Sequence, residues 1–374
     1  MHLYILYTGG TIGCVGTPLA PVSGVEFEAA FRATMLPPIE TQLPDTTVTF
    51  DSFEQTLDST NMQPSDWVRM AQRICSAWHE HDAFLVLHGT DTMAWTSAAL
   101  SFLLPNVSKP VIVTGSQLPL FFATGNDPSA YQVLHNTDAV RNVEGAIRFL
   151  ERAIPEVGLY FADQLLRGNR AIKSHASQFI AFSSPNYPLL GELGVRPVLH
   201  SDRLQKPDCA ATFTDRISEV ERDLTRIAER IDSASAIPFL LFPAAWSVDN
   251  SDPSLLVSLL QQTQTISPEL RGVVFEAYGE GNIPDFPAMQ QQVRRMHDAG
   301  IVMVDCTQAF AGDVGHAIYR TGSWLSEAGV IAGGDMTPVA ALAKLIVLLA
   351  REESEEAVRY GMSSNLAGEL TVPG

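Results

Sequence analysis

Short apolar runs alternate with longer stretches of helical spacing along the first half of this chain. Leu3–Tyr7, Ala83–His88, Pro110–Gly115 and Glu156–Phe161 are nearly unbroken apolar segments of strand length, as expected of strands covered on both faces. Between them, Pro64–Trp78 and Thr92–Leu104 carry apolar positions at helical spacing. This alternation predicts an α/β fold, a parallel sheet with helices across its faces. From about Gly191 to Ser235 the rhythm fails, because Pro197 and Pro207 interrupt it among mixed polar residues. Within that stretch Ile217, Val220, Leu224, Ile227 and Ile231 recur at spacings of three and four, so Thr214–Ile231 reads as an amphipathic helix packed on its own domain. Strand–helix alternation resumes with Ile237–Phe242, Gly272–Tyr278 and Ile301–Asp305. We expect a larger N-terminal parallel-sheet domain over residues 1–195, a linker with the amphipathic helix over 196–235, and a smaller parallel α/β domain over 236–374.

Charge and cysteine content narrow the partners. With 374 residues and a net charge of −18, the chain repels phosphate backbones and anionic membrane surfaces, so neither nucleic acid nor membrane is expected as a partner. Cys14, Cys75, Cys209 and Cys306 stand far apart without a C-x-x-C pair and read as free thiols in a reducing compartment. The opening residues lack the basic flank and cleavage site of a signal peptide, and no apolar run reaches the ~18–20 residues of a membrane-spanning helix. A cytoplasmic location is the expectation. His79-Glu80-His81-Asp82 superficially resembles a metal cluster, but it precedes a strand in what reads as a solvated turn, and no metal is expected there.

The chemistry concentrates in two strand-end loops, Thr8-Gly9-Gly10-Thr11-Ile12-Gly13 and Gly89-Thr90-Asp91-Thr92-Met93. Both belong at the carboxyl edge of one parallel sheet, where open α/β folds bind ligands. The first lacks the G-x-G spacing of a dinucleotide fingerprint and the Gly-Lys-Ser/Thr ending of a phosphate loop. No G-x-S-x-G elbow occurs either, which disfavours a serine hydrolase of the α/β type. Glycines here let backbone N–H groups approach a substrate and set the Thr11 and Thr90 hydroxyls at the floor of a cleft. A hydroxyl is a weak nucleophile unless a base activates it, and a base needs an orienting partner, roles open to Asp91 and a buried lysine.

These two segments, with Leu87-His88 leading into the second, resemble the paired signatures of the bacterial-type L-asparaginase family, and the chain looks most like its cytoplasmic type I group. The similarity continues in order through Pro21-Val22-Ser23-Gly24, Leu57-Asp58-Ser59, Thr114-Gly115-Ser116-Gln117, Arg167-Gly168-Asn169-Arg170, Tyr278-Gly279, Gly281-Asn282 and Gly333-Gly334-Asp335-Met336-Thr337. The resemblance implies a flavodoxin- or Rossmann-like larger domain, no cofactor, and hydrolysis of L-asparagine to L-aspartate and ammonia with glutamine as a lesser substrate. Thr11 would be the nucleophile that forms an acyl-enzyme. Thr90, Asp91 and Lys173 would manage the proton and the water, which requires Lys173 to be shifted down from ~10.4 by burial or a neighbouring cation. Asp58, Ser59 and Asp91 would hold the substrate's amino and carboxylate groups, while the backbone around Gly10 and Gly89 would meet the oxyanion, at ~3–4 kcal/mol per donor. Family members place their sites between two chains, so a homodimer or homotetramer is implied.

The departures are specific. Leu19 stands where the family carries a loop tyrosine that assists the nucleophile, and no tyrosine lies between Tyr7 and Tyr131. Tyr319 is a candidate substitute. An insertion runs from Phe121 to about His135, ahead of Asp138 and Asn142. Glu276 replaces an arginine, and Ile172 a threonine, at positions that regulated type I members use, which argues against regulation by free asparagine. Two other readings stay open. One is a non-catalytic asparagine- or aspartate-binding protein that lost turnover with the loop tyrosine, and the other is the deamidating subunit of a tRNA-dependent amidotransferase. Retention of Lys173 favours the enzyme over the first, and the acidic charge counts against the second.

Overall fold

A computed structural model describes residues 1–123, 125, 127–206, 212–243, 254–315 and 320–371. The chain divides into two compact units, Met1–Leu224 and Thr225–Gly374, with the division falling inside a helix, Phe213–Arg230. That helix matches the amphipathic segment read from Ile217, Val220, Leu224 and Ile227, while Ile231 falls just beyond it in a short 3-10 turn.

The first unit is built on an eight-stranded sheet. Its strands in chain order are β1 (His2–Gly9), β2 (Thr47–Leu57), β3 (Ala83–Leu87), β4 (Val111–Thr114), β5 (Val157–Phe161), β6 (Gln164–Arg167), β7 (Gly191–Leu193) and β8 (Pro197–Leu199). Their spatial order is β8-β7-β6-β5-β4-β3-β1-β2. The five strands from β5 to β2 are parallel, while β6, β7 and β8 return antiparallel at one edge. The chain passes from β1 to β2 on one side and then crosses to β3 on the other, so the order reverses between β1 and β3. Ligand crevices in open α/β sheets lie at such a reversal.

Every residue of β3 and β5 is buried, as expected where helices cover both faces. Leu3, Ile5, Tyr7, Leu85, Leu87 and Ile112 form one core layer with Phe27 and Phe31 of helix α1 (Gly24–Thr34) and Val143, Ile147 and Phe149 of a second covering helix, Ala139–Leu150. On the opposite face Phe84 stacks on Trp78, which follows helix Pro64–Ser76. Within the stretch from Phe121 to His135, Phe121–Phe122 pairs antiparallel with Gln132–Val133, and Tyr131 is buried against Phe121.

The second unit carries a four-stranded parallel sheet, Ala236–Leu240, Gly272–Ala277, Val302–Thr307 and Ile331–Ala332, covered in part by the buried helix Pro338–Arg351. Glu276 lies half-buried in this sheet, and burial pushes its carboxyl up.

His81 departs from the expected solvated turn. It is 7% exposed, with Nδ1 against the Ala77 carbonyl and Nε2 against the Thr49 hydroxyl, so both ring nitrogens are taken up by the fold. Among the described residues no cluster of histidine, cysteine and acidic side chains is arranged to hold a metal ion. No described helix is long and apolar enough to cross a membrane. Cys14, Cys75 and Cys306 are free and buried, and Cys209 lies outside the described residues.

Candidate active site

Three loops meet at the carboxyl edge of β1 and β3. Gly9 and Gly10 turn the chain out of β1 with φ of 121° and 84°, conformations open mainly to glycine. The turn is pinned by Gly10 N–H donating to the Leu57 carbonyl at 2.8 Å, and Gly13 N–H closes it by donating to the Gly10 carbonyl at 3.1 Å. A Cβ on Gly10 would lie 2.2 Å from the Cα of Gly89, so the two signature turns touch backbone to backbone. On the other side of Gly89 lies Ser59, whose Oγ would stand 2.6 Å from a Cβ there. Thr92 ties the loops together by donating its hydroxyl to the Ser59 carbonyl at 2.7 Å. Glycine at positions 10 and 89 is thus a condition of close approach.

On this platform the side chains differ in exposure. Thr11 is half-buried in the turn after β1, and Thr90 is 5% exposed. Lys173 comes from a separate two-stranded ribbon, Ile172–Lys173 against Phe182–Ser183. Its ammonium donates to Thr90 Oγ1 at 2.9 Å and to Asp91 Oδ1 at 2.6 Å. The lysine side chain is 18% exposed and that of Asp91 56%. Lys173 is therefore only partly buried, and the charge beside it is a carboxylate rather than a cation. Thr90 in turn donates to Gln117 Oε1 at 3.1 Å.

Asp58 is exposed, with one oxygen accepting from both N–H and hydroxyl of Thr60 at 3.0 Å, while Ser59 is buried beneath the Gly89 turn. Thr11, Thr90, Asp91, Lys173, Asp58, Ser59, Gly10 and Gly89 all belong to the first unit. Tyr319 lies outside the described residues. Leu19 is 57% exposed in the turn between the two-residue strands Cys14–Val15 and Ala20–Pro21. Among the described residues no hydrogen-bond partner reaches the Thr11 hydroxyl.

Neighbouring titratable groups do not compete for the chemistry. Burial, with Asp58 nearby, pushes the Cys14 thiol up to about 11, so it is not a thiolate near neutral pH. Burial likewise raises the Tyr7 phenol far above its ordinary value. His88, fully enclosed, is pushed by burial down to about 4 and is neutral. Its Nδ1–H donates to the Gly89 carbonyl at 2.7 Å, which leaves Nε2 to accept from the Thr96 hydroxyl at 2.9 Å. It supports the second turn from below, as a satisfied core histidine does.

Residues beyond the expected set complete the scaffold. Asp138 accepts from the backbone N–H of Gln117 and of Leu118 at 2.9 and 3.0 Å. Asn142 donates to the Gly115 carbonyl at 2.9 Å and accepts from Ala162 N–H at 3.0 Å. Both stand out in sequence only as part of a helix start.

A model described as "Asparaginase, N-terminal" matches residues 2–205, and one described as "Glutaminase/Asparaginase C-terminal domain" matches residues 252–362. The chain belongs to the asparaginase family. L-asparaginase 1 of Escherichia coli is 35% identical over 99% of this chain and 98% of its own length. A human protein named 60 kDa lysophospholipase is 34% identical over the whole of this chain, which spans 62% of that protein. Among solved structures, L-asparaginase I of Vibrio cholerae superposes with a TM-score of 0.78 at 32% identity, covering 99% of each chain. In asparaginase terms, both signature turns are present and in contact in this chain.

Proposed function

We propose that this asparaginase-family chain hydrolyses L-asparagine to L-aspartate and ammonia through an acyl-enzyme on Thr11. The observation that carries the reading is the Lys173 ammonium bridging Thr90 and Asp91 beside the contact of Gly10 with Gly89. A lysine placed on both a hydroxyl and a carboxylate at the mouth of a glycine-lined turn has the donor and acceptor set for proton transfer to and from a bound amide and water. In this reading Thr11 attacks the side-chain carbonyl carbon, the C–N bond breaks as ammonia leaves with the transferred proton, and water cleaves the resulting ester. Thr90, Asp91 and Lys173 handle the protons, Asp58, Ser59 and Asp91 hold the amino acid's charged ends, and backbone N–H groups beside Gly10 and Gly89 meet the oxyanion. Glutamine is a lesser substrate, and no cofactor takes part. The chain works as a homodimer or homotetramer in the cytoplasm, and Tyr319 takes the place of the loop tyrosine.

One observation favours a second reading. With no base reaching Thr11 among the described residues and Leu19 on the loop, a binding protein for asparagine or aspartate would have the same turns and no turnover. Ammonia release from L-asparagine and L-glutamine by the purified protein separates the two. The enzyme reading expects turnover that is lost in Thr11→Ala and Lys173→Ala. The binding reading expects thermal stabilisation by asparagine or aspartate without ammonia.

A further inference from the structure

Gln117 is held by four atoms of its surroundings, and their chemistry fixes which way its amide faces. Its Nε2 lies 3.1 Å from the carbonyl of Ala176 and 3.1 Å from that of Gln178. Two carbonyl oxygens can only accept, so the NH2 group must face them, and Oε1 must face Thr90. The Gln117 backbone is fixed in turn by its N–H to Asp138. An amide oxygen has no proton to give, so Thr90 is the donor in the 3.1 Å contact with Oε1. Hydrogen bonds consequently run in one direction, with Lys173 giving to Asp91 and Thr90, and Thr90 giving to Gln117. With its proton committed to Gln117 and one lone pair facing Lys173, the Thr90 hydroxyl has a second lone pair left for a proton donor in the cleft.

We propose that Gln117 is a positioning residue for the hydrolytic reaction, one that holds the Thr90 hydroxyl so that it presents an electron pair to the incoming nucleophile. This rests on the amidohydrolase reading. Gln117 acts through Thr90, and it links that hydroxyl to the exposed 175–180 segment that follows Lys173.

The test compares Gln117→Glu with Gln117→Met in ammonia release from L-asparagine, alongside wild type and Thr11→Ala. Glutamate keeps an oxygen acceptor for Thr90 but sets a carboxylate against the carbonyls of Ala176 and Gln178. Methionine keeps the length and loses the acceptor. A positioning role expects Gln117→Met to lose kcat by about tenfold with KM changed less than about twofold, since a transition-state arrangement is lost and not ground-state binding. It also expects Gln117→Glu to retain more kcat than methionine, because glutamate keeps the oxygen that accepts from Thr90. A residue that merely anchors the 175–180 segment would give the reverse order, methionine above glutamate, and that order overturns the proposal. So do two variants with wild-type kcat and KM. Should either variant fail to fold by circular dichroism, Gln117→Leu and Gln117→Asp carry the same comparison. A wild type that releases no ammonia would refute the enzyme reading instead, which keeps the two failures apart.

Discussion

His88 shows how one buried side chain links the Gly89 turn to pH. The folded protein holds the ring neutral, with a value near 4 against an ordinary 6.5, because burial removes the water an imidazolium needs. The unfolded chain therefore binds the proton more readily than the folded one whenever pH falls below 6.5. Stability from this group is full above that value, falls as pH drops from 6.5 towards 4, and falls no further once the folded ring also protonates. The expected loss between pH 7 and pH 4.5 is about 2–3 kcal/mol. Urea denaturation at the two pH values should reveal it, and His88→Asn should flatten this part of the dependence. At the same scale, the placement of Thr11 and Thr90 was legible in the sequence because glycines flank both at strand ends. Gln117 was not, since its partners Ala176 and Gln178 stand 59 and 61 positions away, and no local pattern announces a contact of that kind.

At the scale of elements, long buried strands were the most legible part of the chain. Ala83–Leu87 and Val157–Phe161 are apolar throughout because both faces are covered, and composition alone reports that. The antiparallel edge Gly191–Leu193 and Pro197–Leu199 was hidden, since each strand has three residues and a proline opens the second, giving no run long enough for a period-two pattern to appear. The Cys14–Val15 and Ala20–Pro21 hairpin was equally silent. It carries Leu19 in the open, 57% exposed. If Tyr319 already takes the loop tyrosine's role, Leu19→Tyr should change kcat for asparagine by less than about threefold while Tyr319→Phe lowers it by at least about tenfold. A large gain in Leu19→Tyr with no effect of Tyr319→Phe would assign the deficit to the loop. Steady-state ammonia release measures both.

At the scale of the whole chain, the second unit is closed by an ion pair that neither charge pattern nor motif suggested. Lys344 and Glu369 are both 0% exposed and 2.6 Å apart. Lys344 also donates to the carbonyls of Met362 and Ser364, and Glu369 accepts from the N–H groups of Leu366 and Ala367, so the pair fastens the last turns of the chain to the buried helix Pro338–Arg351. Removing one partner leaves a buried charge uncompensated, at a cost of about 3–5 kcal/mol, whereas replacing both with apolar residues of similar volume is often neutral. Glu369→Leu should therefore lower the urea midpoint sharply, and Lys344→Met with Glu369→Leu should restore most of it. Covalent catalysis by Thr11 is the central claim for the molecule, and trapping the acyl group tests it most directly. Hydroxylamine added to the reaction with L-asparagine competes with water for an acyl-enzyme. We expect β-aspartyl hydroxamate to appear at the expense of aspartate, with ammonia release undiminished in wild type and both products absent in Thr11→Ala. Ammonia release that persists in Thr11→Ala, or turnover in which hydroxylamine never diverts aspartate to the hydroxamate, would contradict it.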